Sequence, residues 1–368
     1  MVRAAGCLLH SQAVKIQEQV PLAPLTTLRV GGPARYFVKA ASEADVREAE
    51  DFARSRDLLF FVLGGGSNLL VSDRGFSGLV LKVAISGIEE TGQTNKAVFE
   101  AGAGVDWDEF VAVTVARNCA GLECLSGVPG TVGGTPVQNV GAYGQEVSET
   151  IVAVEAFDTR DGIVRRFTNL ECGFSYRTSV FNTVERGRYI ILRVSFELKR
   201  GGAPKLAYAD LKRHFAAEDI EPSLAQVREA VLSIRKSKGM VMAKDDPDCR
   251  SAGSFFKNPI LSDEQFRDLE QRASARGLRV PSYPALSSQH KVSAAWLVEQ
   301  VGFRKGFALG PAGISSKHSL AIINRGGATA ADIIALKTAV QRGVVEQFGI
   351  ELKPEPVFLG FDDCCGGP

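Results

Sequence analysis

Two glycine-rich segments of this 368-residue chain combine a flexible backbone with hydrogen-bond donors. The first, residues 63–70, reads Leu-Gly-Gly-Gly-Ser-Asn-Leu-Leu and follows an apolar run, residues 58–63, that is typical of a buried strand. Three successive glycines let backbone amides turn toward an anion without obstruction by a Cβ atom. The spacing is neither G-x-G-x-x-G nor G-x-x-x-x-G-K-[ST]. By itself the segment predicts either a phosphate cradle or a tight turn between strands.

The second segment, residues 126–136, is also rich in glycine, proline and hydroxyl groups, and residues 138–144 continue it with amide side chains. Two such loops suit a pyrophosphate joined to a flat ring, because glycine and proline let the backbone lie close to a planar ligand. The alternative is a purely structural crossover. The predicted cofactor-binding residues are Gly64, Gly65, Gly66, Ser67, Asn68, Pro129, Gly130, Thr131, Gly133, Gly134, Gln138, Asn139 and Gly141.

Four other clusters carry side chains with useful chemistry. Arg177 lies at an aromatic strand end, Ser254 follows small residues, Glu355 sits between two prolines, and two basic residues, Arg235 and Lys238, close a helix. Each cluster can also be explained by structure alone. The arginine could pack at the surface, the serine could bond locally in a turn, and the glutamate could lie in an exposed turn. The two basic residues could simply complement the helix dipole. No G-x-S-x-G elbow surrounds Ser254, which argues against a hydrolase nucleophile.

The elements that position these residues alternate between strands and helices and predict an α+β chain. Strand patterns dominate residues 85–200, and helices follow from residue 223, the clearest spanning residues 329–348 with Gly349 as its stop. The predicted divisions are an N-terminal extension (1–25), a first domain (26–200, subdivided 26–84 and 85–200), a smaller second domain (205–353) and a C-terminal strand and tail (354–368).

Composition narrows the functional classes. Lys and Arg number 43 against 42 Asp and Glu, so net charge gives no reason to expect nucleic acid as a partner. Seven scattered cysteines, including Cys364 and Cys365 in the tail, predict neither a disulfide framework nor a metal site. No apolar run reaches the length needed to span a bilayer, and we expect a cytoplasmic protein without membrane insertion. Nothing in the sequence indicates an obligate protein partner.

Residues 63–70 with Asp73, and residues 129–134 running into 138–144, resemble the flavin-binding domain of the UDP-N-acetylenolpyruvoylglucosamine reductase family. The resemblance extends from Thr26 to Phe358. It implies an FAD-binding domain of the vanillyl-alcohol-oxidase-like type in two subdomains, followed by a smaller α+β substrate-binding domain. It also implies NADPH as hydride donor and reduction of UDP-N-acetylglucosamine enolpyruvate, an enol ether, in peptidoglycan precursor synthesis.

The same resemblance implies a role for each reactive cluster. Arg177 and Glu355, the latter as an acid, match positions that stabilise negative charge developing toward the substrate carboxylate. Ser254 matches the residue that protonates the adjacent carbon. Val357 stands where some members carry an arginine. The residues that match substrate contacts are Tyr143, Tyr208, Arg235, Lys238, Asn258 and Gln300.

Two alternatives stay open at the level of sequence. One is an alcohol or sugar oxidase on the same flavin fold, although such enzymes often tether the flavin through His or Cys, and the glycine loops contain neither. The other is a catalytically silent nucleotide-binding protein, against which the retention of Arg177, Ser254 and Glu355 argues. If denaturing the protein releases its flavin, the cofactor is not covalently attached and the reductase is favoured. Catalytic turnover by the purified protein would exclude the catalytically silent alternative.

Overall fold

A computed structural model describes residues 14–92, 95–216, 221–243, 246–284 and 289–361. The tail cysteines Cys364 and Cys365, and Cys7, lie outside the described residues, whereas the four cysteines of the described chain are buried and free. Helices and strands alternate, which confirms the predicted α+β class. The helices are α1 (Glu43–Arg54), α2 (Trp107–Ala116), α3 (Ala209–His214), α4 (Leu224–Ser237), α5 (Asp263–Ser274), α6 (Ala294–Gln300) and α7 (Ala330–Phe348).

The strands of the first half of the chain are β1 (Ile16–Pro21), β2 (Pro33–Ala40), β3 (Phe60–Leu63), β4 (Leu69–Val71), β5 (Phe76–Val83), β6 (Ile88–Thr91), β7 (Lys96–Gly102), β8 (Cys119–Ala120), β9 (Gly141–Ala142), β10 (Gln145–Glu146), β11 (Ile151–Asp158), β12 (Ile163–Thr168) and β13 (Tyr189–Arg200). Those of the second half are β14 (Ile260–Ser262), β15 (Ser282–Pro284), β16 (Gln289–Val292), β17 (Ala308–Leu309), β18 (Ala312–Ile314), β19 (Ile322–Asn324) and β20 (Val357–Leu359).

Local capping fixes where the helices begin. A reciprocal capping box closes the N-terminus of α1, between Ser42 and Asp45. Ser223 with Gln226 and Thr329 with Asp332 do the same for α4 and α7. The helix α7 ends at Gly349, whose φ of 70° is the left-handed conformation that glycine adopts without steric cost.

Two sheets share one hydrophobic core in the first half. The first sheet has the order β1-β2-β5-β3, in which β2, β5 and β3 are parallel and β1 is antiparallel at the edge. The second is antiparallel, with the order β12-β11-β13-β7-β6 and β8 beside β13. Leu79 and Leu81 from the first sheet lie in the same buried cluster as Phe99 and Phe196 from the second. This shared core holds the loops that leave both sheets in a fixed relation.

The second half forms its own core around α5, α6 and α7, with two small antiparallel sheets, β14-β16-β15 and β17-β18-β19. Leu28, Val30 and Leu70 of the first half are buried in that same cluster. The two halves therefore share an apolar interface beneath the cleft described below. No helix of the described residues is long and apolar enough to cross a membrane.

Two predicted boundaries need correction. Strand β1 lies in the segment predicted as an N-terminal extension, yet it pairs antiparallel with β2, from Ile16 opposite Val38 to Pro21 opposite Pro33. It lacks an alternating apolar pattern because it is an exposed edge strand. Helix α4, predicted as part of the second domain, packs its apolar face on the first half, where Val227 and Val231 share a cluster with Cys124. The remaining domain divisions stay predictions.

The chain end returns to the first half. Strand β20 pairs parallel with β4, so that Val357 lies opposite Leu69 and Leu359 opposite Val71. The amide of Val357 donates to the carbonyl of Asn68 at 3.0 Å. This pairing places Glu355, two residues before the strand, beside the first glycine loop.

Asp158, at the end of β11, is a buried carboxylate held by arginines. Its side chain has 0% exposure and accepts hydrogen bonds from Arg188 Nε at 3.0 Å and Nη2 at 2.7 Å. Arg165 Nε lies 3.0 Å away, and the Arg160 amide donates at 3.0 Å. The Arg188 hydrogen bonds lower the pKa of Asp158 from 3.8 to about 2 despite burial.

We expect Asp158→Asn to lower the free energy of unfolding at neutral pH by about 2 kcal/mol, because hydrogen bonds to a charged partner are lost. Since the folded pKa lies below the unfolded one, the carboxylate stabilises the fold above pH 3.8, and that contribution disappears as the pH falls through about 2. Urea unfolding at several pH values measures both effects. A variant as acid-sensitive as the wild type, or one of unchanged stability at pH 7, contradicts this assignment.

Candidate active site

A cleft of about 1470 Å³ lies between the two halves of the chain. Glycine loops and strand ends line one side, and the turn of Ser254 with the N-terminal end of α6 lines the other. All but two of the predicted site residues line it, the exceptions being Asn139 and Gln300. Those that do are Gly64, Gly65, Gly66, Ser67, Asn68, Pro129, Gly130, Thr131, Gly133, Gly134, Gln138, Gly141, Tyr143, Arg177, Tyr208, Arg235, Lys238, Ser254, Asn258 and Glu355.

The two glycine loops touch each other on the floor of the cleft. The hydroxyl of Ser67 donates to the carbonyl of Pro129 at 2.8 Å. A Cβ on Gly65 would lie 2.5 Å from the Cα of Gly130, closer than any side chain tolerates. The Trp107 amide donates to the Gly130 carbonyl at 3.2 Å and fixes the second loop from below. Glycine at position 65 is therefore required by packing between the loops.

The floor also offers hydrogen-bond donors to a ligand. Within the described chain, no carbonyl or side chain accepts a hydrogen bond from the amides of Gly65, Gly66 or Ser67. A Cβ on Gly134 would meet no atom within 4 Å, so this glycine faces open space. Free amides beside open space fit the phosphates of a dinucleotide, because successive backbone N–H groups form an anion-binding concavity.

Asn68 connects the cradle, which we define as residues 64–68 and 129–134, to the chain end. Its amide nitrogen donates to Gln138 Oε1 at 2.6 Å and to the carbonyl of Glu355 at 3.2 Å. The amide of Glu355 in turn donates to the carbonyl of Phe255 at 2.9 Å. The backbone of Glu355 is thus held from both sides of the cleft.

Arg177 and Glu355 form a shielded pair. Arg177 Nε lies 3.3 Å from Glu355 Oε1, and the two side chains are 19% and 16% exposed. The φ of Arg177 is 58°, a left-handed conformation that is strained for a residue with a side chain. Burial raises the pKa of Glu355, and the attraction of Arg177 and Lys257 only partly opposes this shift. The carboxyl group therefore retains a proton more readily than an exposed glutamate.

Asn139 contacts Arg177 and is not among the residues that line the cleft, so its contact with the cofactor stays a prediction. It is buried, and its amide nitrogen donates to Glu146 Oε2 at 2.9 Å and to the carbonyl of Ser175 at 3.1 Å. Arg177 Nη1 donates to the Asn139 carbonyl at 3.4 Å, and Nη2 donates to the Gly141 carbonyl at 2.6 Å. Two carbonyls that follow the second glycine loop therefore fix the orientation of the Arg177 guanidinium.

Ser254 lies in a turn that enters the cleft from the second half. Gly253 has a φ of 73°, and a Cβ there would meet nothing within 4 Å, so the approach to the serine is open. The amide of Phe255 donates to the carbonyl of Leu320 at 2.8 Å and ties the turn to the second core. The small residues of the sequence motif therefore leave room for a ligand, as predicted.

Aromatic and cationic side chains cluster on one wall. The rings of Tyr143 and Tyr208 meet edge to face with centroids 5.2 Å apart, and Lys238 Nζ lies 5.7 Å and 6.0 Å from them. Lys238 also donates to Asp210 Oδ2 at 2.6 Å. Burial lowers the pKa of Lys238, but the hydrogen bond to Asp210 and the rings outweigh it, so the net shift is upward. The ammonium stays charged.

Arg235 and Asn258 are held in place by the protein. Arg235 is buried, and it donates from Nε to the Gly127 carbonyl at 3.0 Å and from Nη2 to the Met240 carbonyl at 2.9 Å. Asn258 accepts a hydrogen bond from the Ala294 amide at 2.9 Å. Both residues line the cleft.

Gln300, predicted to contact the substrate, lies at the last residue of α6. The opposite end of the helix, with Ser293 and Ala295, lines the cleft. Five residues separate Ala295 from Gln300, which is about 7.5 Å along a helix axis. The structure therefore does not bring Gln300 to the cleft.

Sequence reasoning missed Lys291, in β16, because no motif surrounds it. Its Nζ lies 4.0 Å from the centroid of the Tyr176 ring, and burial together with the charge of Arg177 lowers its pKa. His318 also lines the cleft. Burial and the neighbouring Lys238 lower its pKa to about 4, and its Nδ1 accepts from the Leu320 amide at 3.1 Å. The imidazole is therefore neutral, with its proton on Nε2.

Known proteins that resemble this chain identify its family. Residues 34–168 match the FAD binding domain family, and residues 245–359 match the C-terminal domain of UDP-N-acetylenolpyruvoylglucosamine reductase. The protein of that name from Thermobifida fusca is 49% identical over 348 residues, which cover 93% of this chain and 97% of the relative. The chain belongs to the UDP-N-acetylenolpyruvoylglucosamine reductase family.

Other members of the reductase family agree. The Streptomyces coelicolor protein of the same name is 46% identical over 356 residues, covering 95% of this chain and 91% of its own length. The crystal structure of UDP-N-acetylenolpyruvylglucosamine reductase from Thermus caldophilus superposes with a TM-score of 0.64 at 26% identity, covering 94% of this chain and 99% of that one. These matches confirm the predicted fold class, an FAD-binding domain followed by a C-terminal α+β domain.

Packing between the loops gives a test of the cradle. We expect Gly65→Ala to weaken FAD binding at least tenfold, because the added methyl group would force Gly130 away and separate the two loops. Flavin titration followed by fluorescence quenching measures the affinity. Gly343→Ala, within α7, is the matched control, since a Cβ there makes only ordinary contacts of 3.5 Å or more, with the side chains of Val301 and Phe303. Equal flavin affinity in both variants would show that the cradle does not bind FAD.

Proposed function

We infer that this chain catalyses the NADPH-dependent, FAD-mediated reduction of UDP-N-acetylglucosamine enolpyruvate to UDP-N-acetylmuramate, a step of peptidoglycan precursor synthesis. Membership of the reductase family supports the activity, and the match to an FAD binding domain supports the cofactor. The observation that carries the inference is one cleft in which a free-amide cradle meets Arg177, Ser254 and Glu355. In the balanced reaction, NADPH supplies a hydride, solvent supplies a proton, and the vinyl group becomes saturated.

The cradle residues fit a dinucleotide cofactor. When bound, FAD supplies hydride transfer between NADPH and the enolpyruvyl double bond. The amides of Gly65, Gly66 and Ser67 are free to hold its pyrophosphate, and Gly134 faces open space on the second loop. Asn68 and Gln138, which already bond to each other, close the end of the cradle nearest to Glu355.

Arg177 and Glu355 are the residues proposed to receive the substrate carboxylate. Addition of hydride to the terminal vinyl carbon moves negative charge toward that carboxylate. The guanidinium of Arg177 is fixed by two carbonyls before any ligand arrives, so it need not reorganise as charge develops. Glu355, whose pKa burial raises, is suited to donate a hydrogen bond as a neutral acid. Lys291, beside Tyr176, adds positive potential on the same side.

Ser254 is the proposed proton donor to the carbon adjacent to the carboxylate. A serine hydroxyl is a weak acid, and it serves here because the carbanionic centre is strongly basic. Its turn belongs to the second half of the chain, opposite the cradle, so the substrate would lie between hydride source and proton source. This arrangement supports addition of the hydride and the proton from opposite sides of the cleft.

The wall of aromatic and cationic residues is proposed to bind diphosphates. Lys238 and Arg235 supply charge, Tyr143, Tyr208 and Asn258 supply hydrogen bonds, and Lys238 would exchange its bond to Asp210 for a phosphate oxygen. NADPH and the sugar nucleotide both carry a diphosphate, so they would use the same cations in turn. We therefore expect ping-pong kinetics with mutual competition.

The proposed function predicts a two-step spectral change. Under anaerobic conditions, the FAD-loaded protein should bleach on addition of NADPH and regain its flavin absorbance on addition of the enolpyruvyl sugar nucleotide. Reoxidation by molecular oxygen alone, with no response to the sugar nucleotide, would indicate an oxidase. Absence of flavin uptake would refute the function itself.

In the same titration, Ser254→Ala should leave bleaching by NADPH within twofold of the wild type and slow the return of absorbance at least a hundredfold, because only the second step uses the serine proton. Ser55→Ala is the matched control, because the exposed Ser55 hydroxyl bonds only to neighbours in its own turn, the carbonyl of Phe52 and the side chain of Arg56. Loss of the bleaching step in Ser254→Ala would show that the proton-donor role is wrong.

The protonation of Glu355 should make the return step, in which flavin absorbance is regained with the sugar nucleotide, depend on pH. Because burial raises its pKa, the protonated acid persists to higher pH than for an exposed glutamate, and the rate should fall as the pH rises through that pKa. Glu355→Gln removes the titrating proton, so its slower return step should lack this limb. Stopped-flow rates between pH 5 and about 9 measure both profiles. A limb that persists in Glu355→Gln belongs to another group.

A further inference from the structure

Thr27, in the connection between β1 and β2, bonds to both sides of the cleft. Its amide donates to the carbonyl of Gly66 at 3.1 Å, and its hydroxyl donates to the carbonyl of Ser251 at 2.6 Å. The same hydroxyl lies 3.4 Å from the carbonyl of Ser67, a much longer contact. Gly66 belongs to the cradle, whereas Ser251 begins the turn that carries Ser254. One residue thus spans from the proposed cofactor site to the proposed proton donor.

The turn from Ser251 to Ser254 is tied to its surroundings at both ends. Ser251 is buried, and its hydroxyl accepts from the Gly253 amide at 3.3 Å. At the other end, the Phe255 amide donates to the carbonyl of Leu320. Because the turn is this short and this well bonded, a displacement of the Ser251 carbonyl is passed on to Ser254.

A neighbouring contact strengthens the connection without reaching the cradle. Asn324, at the end of β19, donates from its side chain to the carbonyls of Leu28 and Arg29, each at 3.2 Å. Its own amide donates to the carbonyl of Arg250 at 2.9 Å. The segment that contains Thr27 is therefore anchored to the second half by a contact separate from the Thr27 hydroxyl.

We propose that Thr27 is a positioning residue for proton delivery, whose hydroxyl sets the separation between Ser254 and the cofactor held by the cradle. The proposal rests on the proposed function. Thr27 does not touch the reacting atoms in this role and acts through Ser251. Its effect is therefore confined to the step that uses the serine proton.

Two substitutions isolate the hydroxyl. Thr27→Val keeps the volume and branching of the side chain and the amide bond to Gly66, but leaves the Ser251 carbonyl without its donor. Thr27→Ser restores the donor. The matched control is Thr114→Val, which removes the buried hydroxyl inside α2 whose partner is the Val111 carbonyl at 2.9 Å.

The experiment follows the two half-reactions of the FAD-loaded full chain by stopped-flow absorbance. We expect Thr27→Val to bleach with NADPH within twofold of the wild type, to regain absorbance with the enolpyruvyl sugar nucleotide at least tenfold more slowly, and to show a larger solvent deuterium isotope effect on that step. Thr27→Ser should recover most of the rate. Thr114→Val should match the wild type in both steps.

Other outcomes overturn the proposal. Equal slowing of both steps, or loss of FAD from Thr27→Val, would mean that the hydroxyl supports the cleft as a whole. An unchanged return step would mean that Ser254 is positioned without it. The wild-type chain separates this failure from failure of the proposed function, because a wild type that does not bleach and return refutes the function, whatever Thr27 does.

Discussion

The parallel pairing of β4 with β20 determines the geometry of the cleft. Strand β4 directly follows the first glycine loop, whereas β20 comes after all the helices and strands of the second half. Their register, with Val357 opposite Leu69, brings the two residues that precede β20 beside Asn68. Glu355 therefore reaches Arg177 without being close to it in sequence. If this pairing slipped, the acid and the guanidinium would separate, while both cores could still form.

Electrostatics in the cleft differ from those of the whole chain. The formal net charge is only +1, yet Arg177, Arg235, Lys238 and Lys291 all line one cavity. Burial makes each charge more effective, because it is less screened by water. The same burial raises the pKa of Glu355, so the cleft contains a carboxyl group suited to be an acid among fixed cations. Two anionic ligands in succession and a developing negative charge are the chemistry that such a site supports.

Local rules made the two glycine loops predictable, because successive glycines such as 64–66 let a backbone approach a ligand. The roles of Arg177, Ser254 and Glu355 came instead from the family resemblance. Asn139 and Gln300 do not line the cleft, because nothing local distinguishes a residue that lines a cavity from one that supports it or lies further along a helix. Lys291 was missed for a related reason, as a lysine in a short strand has no signature until a partner, here the Tyr176 ring, covers it.

By itself, the sequence determined the α+β class, the helix caps and the two glycine loops, because each depends on interactions among residues within a few positions of each other. The reactive side chains were identified through the resemblance to a family. Only the tertiary structure decided which of them meet. The contact of Gly65 with Gly130, the pair of Arg177 with Glu355 and the bridge from Thr27 to Ser251 all join distant segments. Their geometry depends on strand register and on a core shared between halves, and neither is a property of any local stretch of chain.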